Sequence, residues 1–280
     1  MKILVTGHKG FIGSHMSQYL LHKGHEVEGF DWVESVVPAV EQYDWVVHCG
    51  AISDTTEKDI DKVWKHNYEF TMRLLQICDN YQTNIQLAST AAVYGPNKKF
   101  NEEDPCYPQT PYAWSKFLID KFLIDNGIDK FNMLVQSYRY FNVYGPGEGH
   151  KKDQMSMVSK FQVQAATDGV IKLFKDSNRY KRDIVCVYDL VRIQEEMMHK
   201  DVSGVYNLGT GTAIDIESVA QLVAKDTGAK IEYIDMPEHL TSQYQEYTCA
   251  DNAKLHNTIP IRRWITLEEY YKDIVNDRKT

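Results

Sequence analysis

Tyr112 and Lys116 stand four residues apart in Tyr112-Ala113-Trp114-Ser115-Lys116. On a helix that spacing puts both side chains on one face. A free tyrosine, with a pKa of about 10, is a poor base at neutral pH. A cation held nearby favours the phenolate, and a second one, such as an oxidised nicotinamide, favours it further. The pair can then take a proton from an alcohol while a hydride leaves the same carbon. The spacing equally suits an aromatic ring packed under a lysine stem. Pro108 and Pro111 precede the pair, and Phe117, Leu118, Phe122 and Leu123 follow at helical intervals. That pattern reads as the first turns of a helix leaving a proline-punctuated loop.

A second constellation opens the chain. Residues 2–6 read as a short apolar strand, followed by Gly7-His-Lys-Gly10-Phe-Ile-Gly13 and a helical run over 14–23. Strand, glycine loop and helix N-terminus together suit a pyrophosphate: glycine lets the backbone approach, and the helix end offers free N–H groups and a positive dipole. Gly7, Lys9, Gly10, Phe11, Ile12 and Gly13 are therefore candidate dinucleotide contacts. A second strand over 26–30 ends in Asp31, placed to accept hydrogen bonds from the adenosine ribose. Aspartate is also a common helix cap. An acid there repels a 2′-phosphate, which favours NAD over NADP, although Lys9 pulls the other way. Only 12 residues separate Asp31 from the next strand, which starts at Asp44. A strand–helix crossover needs about that many besides the strand itself, so a third strand beyond the second is expected to be missing or vestigial.

The elements that must position these groups follow in order. Cys49-Gly50-Ala51 is a small-residue turn where the chain can pass close to a cofactor. Residues 59–82 read as a long amphipathic helix carrying Asn67, which suits either a cofactor anchor or a satisfied core amide. The next strand, 84–88, runs into Ser89-Thr90. Hydroxyls at the carboxyl end of a parallel strand face the crevice where such sheets bind ligands, so Thr90 is a candidate to bond the reacting oxygen. A turn in which the hydroxyl bonds its own backbone is the competing reading. A strand over 133–137 leads into Arg139-Tyr140-Phe-Asn142. Beyond Gly145 come a basic loop at 150–152, a helical run to Ala166, a short strand over 171–174, and basic residues at 179–182. These cations are either a solvated surface or a clamp for a diphosphate, with Arg182 as a bidentate donor. Strands are read at 184–187 and 204–208.

Composition narrows the function. The chain has 280 residues, 43% hydrophobic and 25% charged, as expected of a globular protein with a full core. A net charge of −8 argues against nucleic acid as a partner, since phosphate contacts need a basic surplus. Five widely spaced cysteines with no Cys-x-x-Cys pair suggest neither a zinc site nor a disulfide scaffold, and reduced thiols point to the cytoplasm. The first seven residues break too early for a signal peptide. No apolar run reaches the ~18 residues of a membrane span.

Taken together, Thr6-Gly-x-x-Gly-x-x-Gly13, Ser89-Thr90, Tyr112-x-x-x-Lys116, Arg139-Tyr-Phe-Asn142-Val-Tyr-Gly-Pro146, Lys181-Arg-Asp183 and Asn207-Leu-Gly-Thr-Gly211 resemble the extended short-chain dehydrogenase/reductases. These enzymes act on nucleotide-activated sugars, and the match runs in order over nearly the whole chain. Within them, the segment from His48 to Glu57, Gly149-His-Lys151, Leu173-Phe174 and Tyr244-Gln-x-x-Thr248-x-Ala-Asp251 are similar to the ADP-glycero-manno-heptose 6-epimerases. The resemblance implies an α/β fold, a Rossmann-like doubly wound parallel sheet with a smaller C-terminal α+β lobe, and the short segment after Asp31 shortens that sheet on the third-strand side. Residues 1–142 and 183–211 would form the NAD-binding domain, and 143–182 with 212–280 the substrate lobe.

It further implies transient oxidation of one sugar carbon and its re-reduction on the other face, without net redox change. Thr90, Tyr112, Lys116 and Lys151 are the implied catalytic set, Lys151 being the second acid/base. Cys49, Gly50, Ala51, Asn67, Ala88, Ser89, Tyr112, Lys116 and Tyr140 would join the glycine loop and Asp31 around NAD, with NADP the alternative. Ser53, Asn142, His150, Phe174, Arg182 and Tyr244 would join Thr90 and Lys151 in holding a nucleotide-diphospho-sugar. A homodimer or higher oligomer would form through the helices at 59–82 and 112–126, whose apolar outer positions also suit packing on the sheet. Departures from the family pattern are the short segment after Asp31, Gln243 in place of an arginine before Tyr244, and one extra residue after Lys151. Ala91-Ala92 stand where sugar dehydratases carry acids, which disfavours dehydration. A 4-epimerase of another nucleotide sugar and a catalytically silent NAD-binding sensor are the rival readings.

Overall fold

The structure, a computed structural model, describes residues 1–97, 100–237 and 245–275. Six parallel strands form the central sheet: β1 (Lys2–Thr6), β2 (Glu26–Phe30), β3 (Trp45–His48), β4 (Asn84–Thr90), β5 (Val135–Tyr140) and β9 (Gly204–Leu208), in the order β2-β1-β3-β4-β5-β9. Strands β3, β5 and β9 are buried along their whole length, as a sheet covered by helices on both faces requires. Chain order reverses beside β1, and ligands of open α/β sheets bind at the carboxyl ends of the strands at such a switch point.

Among the described residues no strand lies outside β2, and 31–44 contain only an isolated bridge between Val33 and Val36. The shortened edge expected from the spacing is present. β2 is mostly exposed, and Glu26 and Glu28 on it pair with Lys2 at 3.6 and 3.1 Å. Charges along such an edge discourage pairing with another chain.

The helix expected over 59–82 is continuous but not uniform. A short α2 (Ile60–Val63) passes into a π-helical stretch, Trp64–Glu69, before α3 (Phe70–Tyr81). Asn67 lies within the widened turn, a feature common at functional sites. α1 (Phe11–His22) and α6 (Val187–Met198) pack together on the opposite side from α4 (Pro111–Asn126).

A second sheet forms from β6 (Asn142–Tyr144), β8 (Lys181–Cys186), β10 (Ala213–Asp215) and β12 (Tyr247–Thr248). Nearby, β7 (Val170–Phe174) and β11 (Lys230–Ile234) pair in parallel, covered by α5 (Met157–Asp168) and α7 (Ile216–Thr227). Tyr144, Phe161, Ile171, Leu173, Val219 and Val223 fill the core of this lobe. Two segments differ from the division read in the sequence. Residues 183–186 hydrogen-bond into the second sheet, and Leu255, Ile259 and Ile261 pack into the central core rather than the lobe. Parallel pairing of β6 with β8 accounts for the first, apolar burial for the second.

Candidate active site

The glycine loop is held by backbone contact. Gly7 adopts φ 69°, and a Cβ there would lie 2.6 Å from Gly50; a Cβ on Gly13 would lie 2.1 Å from the Gly7 carbonyl oxygen. Neither position admits a side chain, so β1, α1 and the Cys49-Gly50 turn meet at van der Waals distance. Gly10 is the N-cap of α1 and supplies no side-chain cap, leaving the first N–H groups of the helix facing the groove. This cradle fits a pyrophosphate.

Beside it, a cavity of about 270 Å³ is lined by Asp31, Trp32, Gly50, Ala51, His66 and Phe70. Asp31 meets Lys9 Nζ at 3.3 Å and His8 Nδ1 at 3.6 Å. Trp32 and His66 stack with ring centroids 3.8 Å apart, giving a flat aromatic wall on the side where the third strand is absent. Neither residue was singled out in the sequence; an indole next to the strand-end acid was the available signal.

The larger cleft, about 780 Å³, lies between the two sheets at the carboxyl ends of β1, β3, β4 and β5. Its walls bring together Gly7, Gly10, Phe11, Ile12, Gly13, Cys49, Ala51, Ser53, Ser89, Thr90, Tyr112, Tyr140, Asn142, His150, Lys151 and Arg182 from the sequence reading. Gln154, Met155, Ser156 and Gln245 line it as well and were not foreseen.

Tyr112 reaches the cleft because of how α4 begins. The Thr110 hydroxyl accepts a hydrogen bond from the Ala113 amide at 3.1 Å, and Pro111 occupies the first helical position. That start leaves Tyr112 in the first turn and Lys116 one turn deeper, only 4% exposed. Burial raises the Tyr112 phenol above the usual tyrosine range, and the hydrogen bond with Thr90 works against it. Thr90 also accepts a bond from the Ala92 amide at 3.2 Å. The hydroxyl thus caps its own turn and also touches the phenol.

Burial brings the Lys116 ammonium down to about 8, with the Asp120 carboxylate opposing the shift. The ammonium sits below the cleft floor, in a small void with His48, Ala88, Ser89 and Asp120. Lys116 lines that void and not the cleft above it. His48 is held neutral beneath it. Burial, aided by the Lys116 charge, brings the imidazole down to about 3, while Thr6 and Thr71 hydroxyls bond its two nitrogens at 2.6 and 2.8 Å.

Lys151 enters from the other side, on the loop after β6. Its ammonium contacts Glu148 at 3.1 Å and lies 4.9 Å over the Phe11 ring. Glu148 is buried and also accepts bonds from the Ser156 amide and hydroxyl and the Ser159 hydroxyl at 2.6–2.7 Å.

Three expected contacts lie elsewhere. Asn67 spends its amide within the fold: Oδ1 accepts from the Ile52 amide at 2.8 Å, and Nδ2 donates to the Ile52 carbonyl at 3.0 Å and to Ser115 at 3.1 Å. It clamps the loop after β3 to α4 instead of facing the cofactor. Ala88 lies with Lys116 under the floor, and Phe174 sits at the end of β7, off the cleft wall. Tyr244 lies outside the described residues. Ser89 lines the cleft, but its hydroxyl donates to Asp120 at 2.9 Å. Asp120 in turn pairs with buried Arg139 at 2.9 Å, tying α4 to β5.

A doubly wound parallel sheet, a glycine cradle and a Thr–Tyr–Lys set at its carboxyl edge define a dinucleotide-dependent enzyme of the short-chain dehydrogenase/reductase type. The model of the NAD dependent epimerase/dehydratase family matches residues 3–209, and the chain belongs to that family. It is 34% identical to the ADP-L-glycero-D-manno-heptose-6-epimerase of Alkalilimnicola ehrlichii over 90% of each chain. The solved ADP-L-glycero-D-manno-heptose-6-epimerase of Helicobacter pylori superposes with a TM-score of 0.86 at 26% identity, covering 100% of this chain and 96% of that one. Thermus thermophilus UDP-glucose 4-epimerase in complex with NAD gives 0.79 at 26% identity, over 100% and 99%. Among the described residues no helix is long and apolar enough to cross a membrane.

Proposed function

We propose that this protein inverts C6″ of ADP-glycero-manno-heptose, using NAD as a resident cofactor. The observation that carries the reading is the arrival of two proton carriers, Tyr112 with Thr90 and Lys151 with Glu148, in one cleft from separate elements. Bound NAD supplies a hydride acceptor that later returns the hydride. Gly7, Gly10, Phe11, Ile12 and Gly13 would hold its pyrophosphate and Asp31 its adenosine ribose, with Trp32 and His66 available to the adenine. Lys116, buried beneath the cleft floor, would hold the nicotinamide end and would favour the Tyr112 phenolate once the cofactor is in place.

Thr90 then bonds the reacting oxygen while Tyr112 takes or gives its proton. After the sugar carbonyl turns over, Lys151 moves the proton on the opposite face. Asn142, His150 and Arg182 face the cleft where a diphosphate would lie, and Ser53 stands near the sugar. Ala91 and Ala92 line the cleft with methyl groups, so no acid stands beside Thr90 to eliminate water. The chain divides functionally into a cofactor domain around the central sheet and a substrate lobe over β6–β8, β10–β12, α5 and α7. A second copy of this chain covers the apolar face of α2, the π-helical stretch after it and α4, where Ile60, Trp64 and Trp114 are exposed.

Incubation with NAD and ADP-D-glycero-D-manno-heptose, followed by NMR at C6″, tests the activity. Inversion at C6″ with no turnover of UDP-sugars is expected. Turnover of a UDP-hexose at C4″ instead would transfer the reading to a 4-epimerase, and inactivity toward every nucleotide sugar would leave an NAD-binding sensor.

A further inference from the structure

At the far edge of the central sheet from the cleft, the turn before β2 meets the end of α6. His25 Nε2 lies 3.3 Å from Glu195 Oε1, and His199 Nε2 lies 2.9 Å from that same oxygen. All three potential ligand atoms fall within 4.8 Å of one another. His25 and Glu195 each retain 10% side-chain exposure, whereas His199 retains 55%.

We propose that His25, Glu195 and His199 form a binding site for a divalent transition-metal ion of the zinc class. Two imidazoles and one carboxylate are a recurrent zinc donor set, with bonds of about 2.0–2.2 Å. A tetrahedron with such bonds has edges of about 3.3 Å, and two of the three edges already stand close to that length. The third closes through rotation of the exposed His199 ring. Glu195 lies in the last turn of α6 and His199 is its C-cap residue, four positions on, and α6 is packed against α1. With the metal on Nε2, His25 carries its proton on Nδ1, and the 3.4 Å contact of that atom with the Met1 amine is given up. Lys23 acts on Glu195 electrostatically and opposes the ion. The fourth position opens to water beside His199. Because the ligands come from separate elements, the ion would staple the β2 turn to α6 and stabilise the folded state by mass action.

The test uses the full chain, stripped with chelator and desalted, and titrated with ZnCl2 alone by calorimetry and with CoCl2 by visible absorption. His199→Asn and Glu195→Gln are compared with wild type, circular dichroism checking that each is folded. Expected are one equivalent of zinc in the wild type that weakens at least tenfold in each variant, tetrahedral cobalt bands present only in the wild type, and a zinc-induced rise in Tm that His199→Asn abolishes. Equal zinc affinity in His199→Asn and wild type would overturn the site, assigning any binding to the thiols or other histidines. So would a wild type that binds no zinc, leaving a hydrogen-bonded His–Glu–His staple. Epimerase turnover in the two variants stays at the wild-type level, because neither residue borders the cleft.

Discussion

The two banks of the cleft carry the same kind of group in opposite settings. On one, Thr90, Tyr112 and Lys116 project from a strand end and a long helix into the protein, and burial dominates the protonation of both Tyr112 and Lys116. On the other, Lys151 rides on a 3-10 segment, Glu148–Gln154, with a partly exposed side chain held by one buried carboxylate. The first bank stands on the Asp120 network with Ser89, Ser137 and Arg139, which ties α4 to β4 and β5. The second has Glu148 for its foundation, plus a residue in the left-handed region, Lys152 at φ 47°. Positional rigidity comes from packed elements on one side and from a single over-bonded anion on the other.

Removing the phenol strikes the rigid bank hardest. Tyr112→Phe should lower kcat by about 10²–10⁴, the usual contribution of a positioned general acid–base, with the melting temperature nearly unchanged. A variant within threefold of wild type in a steady-state assay would show that this bank does not carry the proton.

Lys116→Met should separate stability from activity. A buried lysine brought down to about 8 disfavours the folded state while it is charged. Below pH 8 both folded and unfolded chains bind the proton, so the cost is fully present there. It fades as pH rises from about 8 to the ordinary lysine value of 10.5. Chemical denaturation at pH 7 should find the cofactor-free Met variant more stable, on the order of 3 kcal/mol, and without the rise in stability between pH 8 and 10.5. NAD affinity and turnover should both collapse. Equal stability of variant and wild type at pH 7 would mean that the ammonium is not desolvated.

On the loop bank the effects should be smaller and graded. Lys151→Ala should cost about 10² in kcat, and Glu148→Gln about tenfold with little change in KM, since the ammonium loses its anchor but not its identity. A Glu148→Gln defect confined to KM would instead place this carboxylate in substrate binding. Smallest of all, Lys152→Gly should relieve about 1 kcal/mol of backbone strain and leave kcat within about threefold, read by thermal denaturation and initial rates.

Much of this contrast was legible in residue order. The Tyr112–Lys116 pair, the Gly7–Gly13 cradle and the lost third strand follow from local rules: helical spacing, glycine at close backbone approaches, and too few residues between Asp31 and Asp44 for a crossover. What residue order left open concerns groups whose partners are remote. Asn67 has the look of a cofactor anchor until the Ile52 backbone and Ser115 consume its amide. Spacing put Lys116 on the face of Tyr112 but could not show that burial would bring its ammonium down to about 8 beside Asp120. Trp32 and His66, 34 residues apart in number, are invisible as a pair until the π-helical turn brings the imidazole onto the indole.

By itself the sequence determined the glycine cradle, the shared helix face of Tyr112 and Lys116 and the shortened sheet edge, because periodicity and turn chemistry act over a few residues and need no knowledge of the rest; the class of enzyme came from the resemblance of its ordered motifs to a known family. Only the tertiary structure decided which charges are desolvated, how Glu148 seats Lys151, and that His25 meets Glu195 across 170 positions. Protonation and ligation depend on which atoms share a small volume, and that is settled when the sheet and helices close around them.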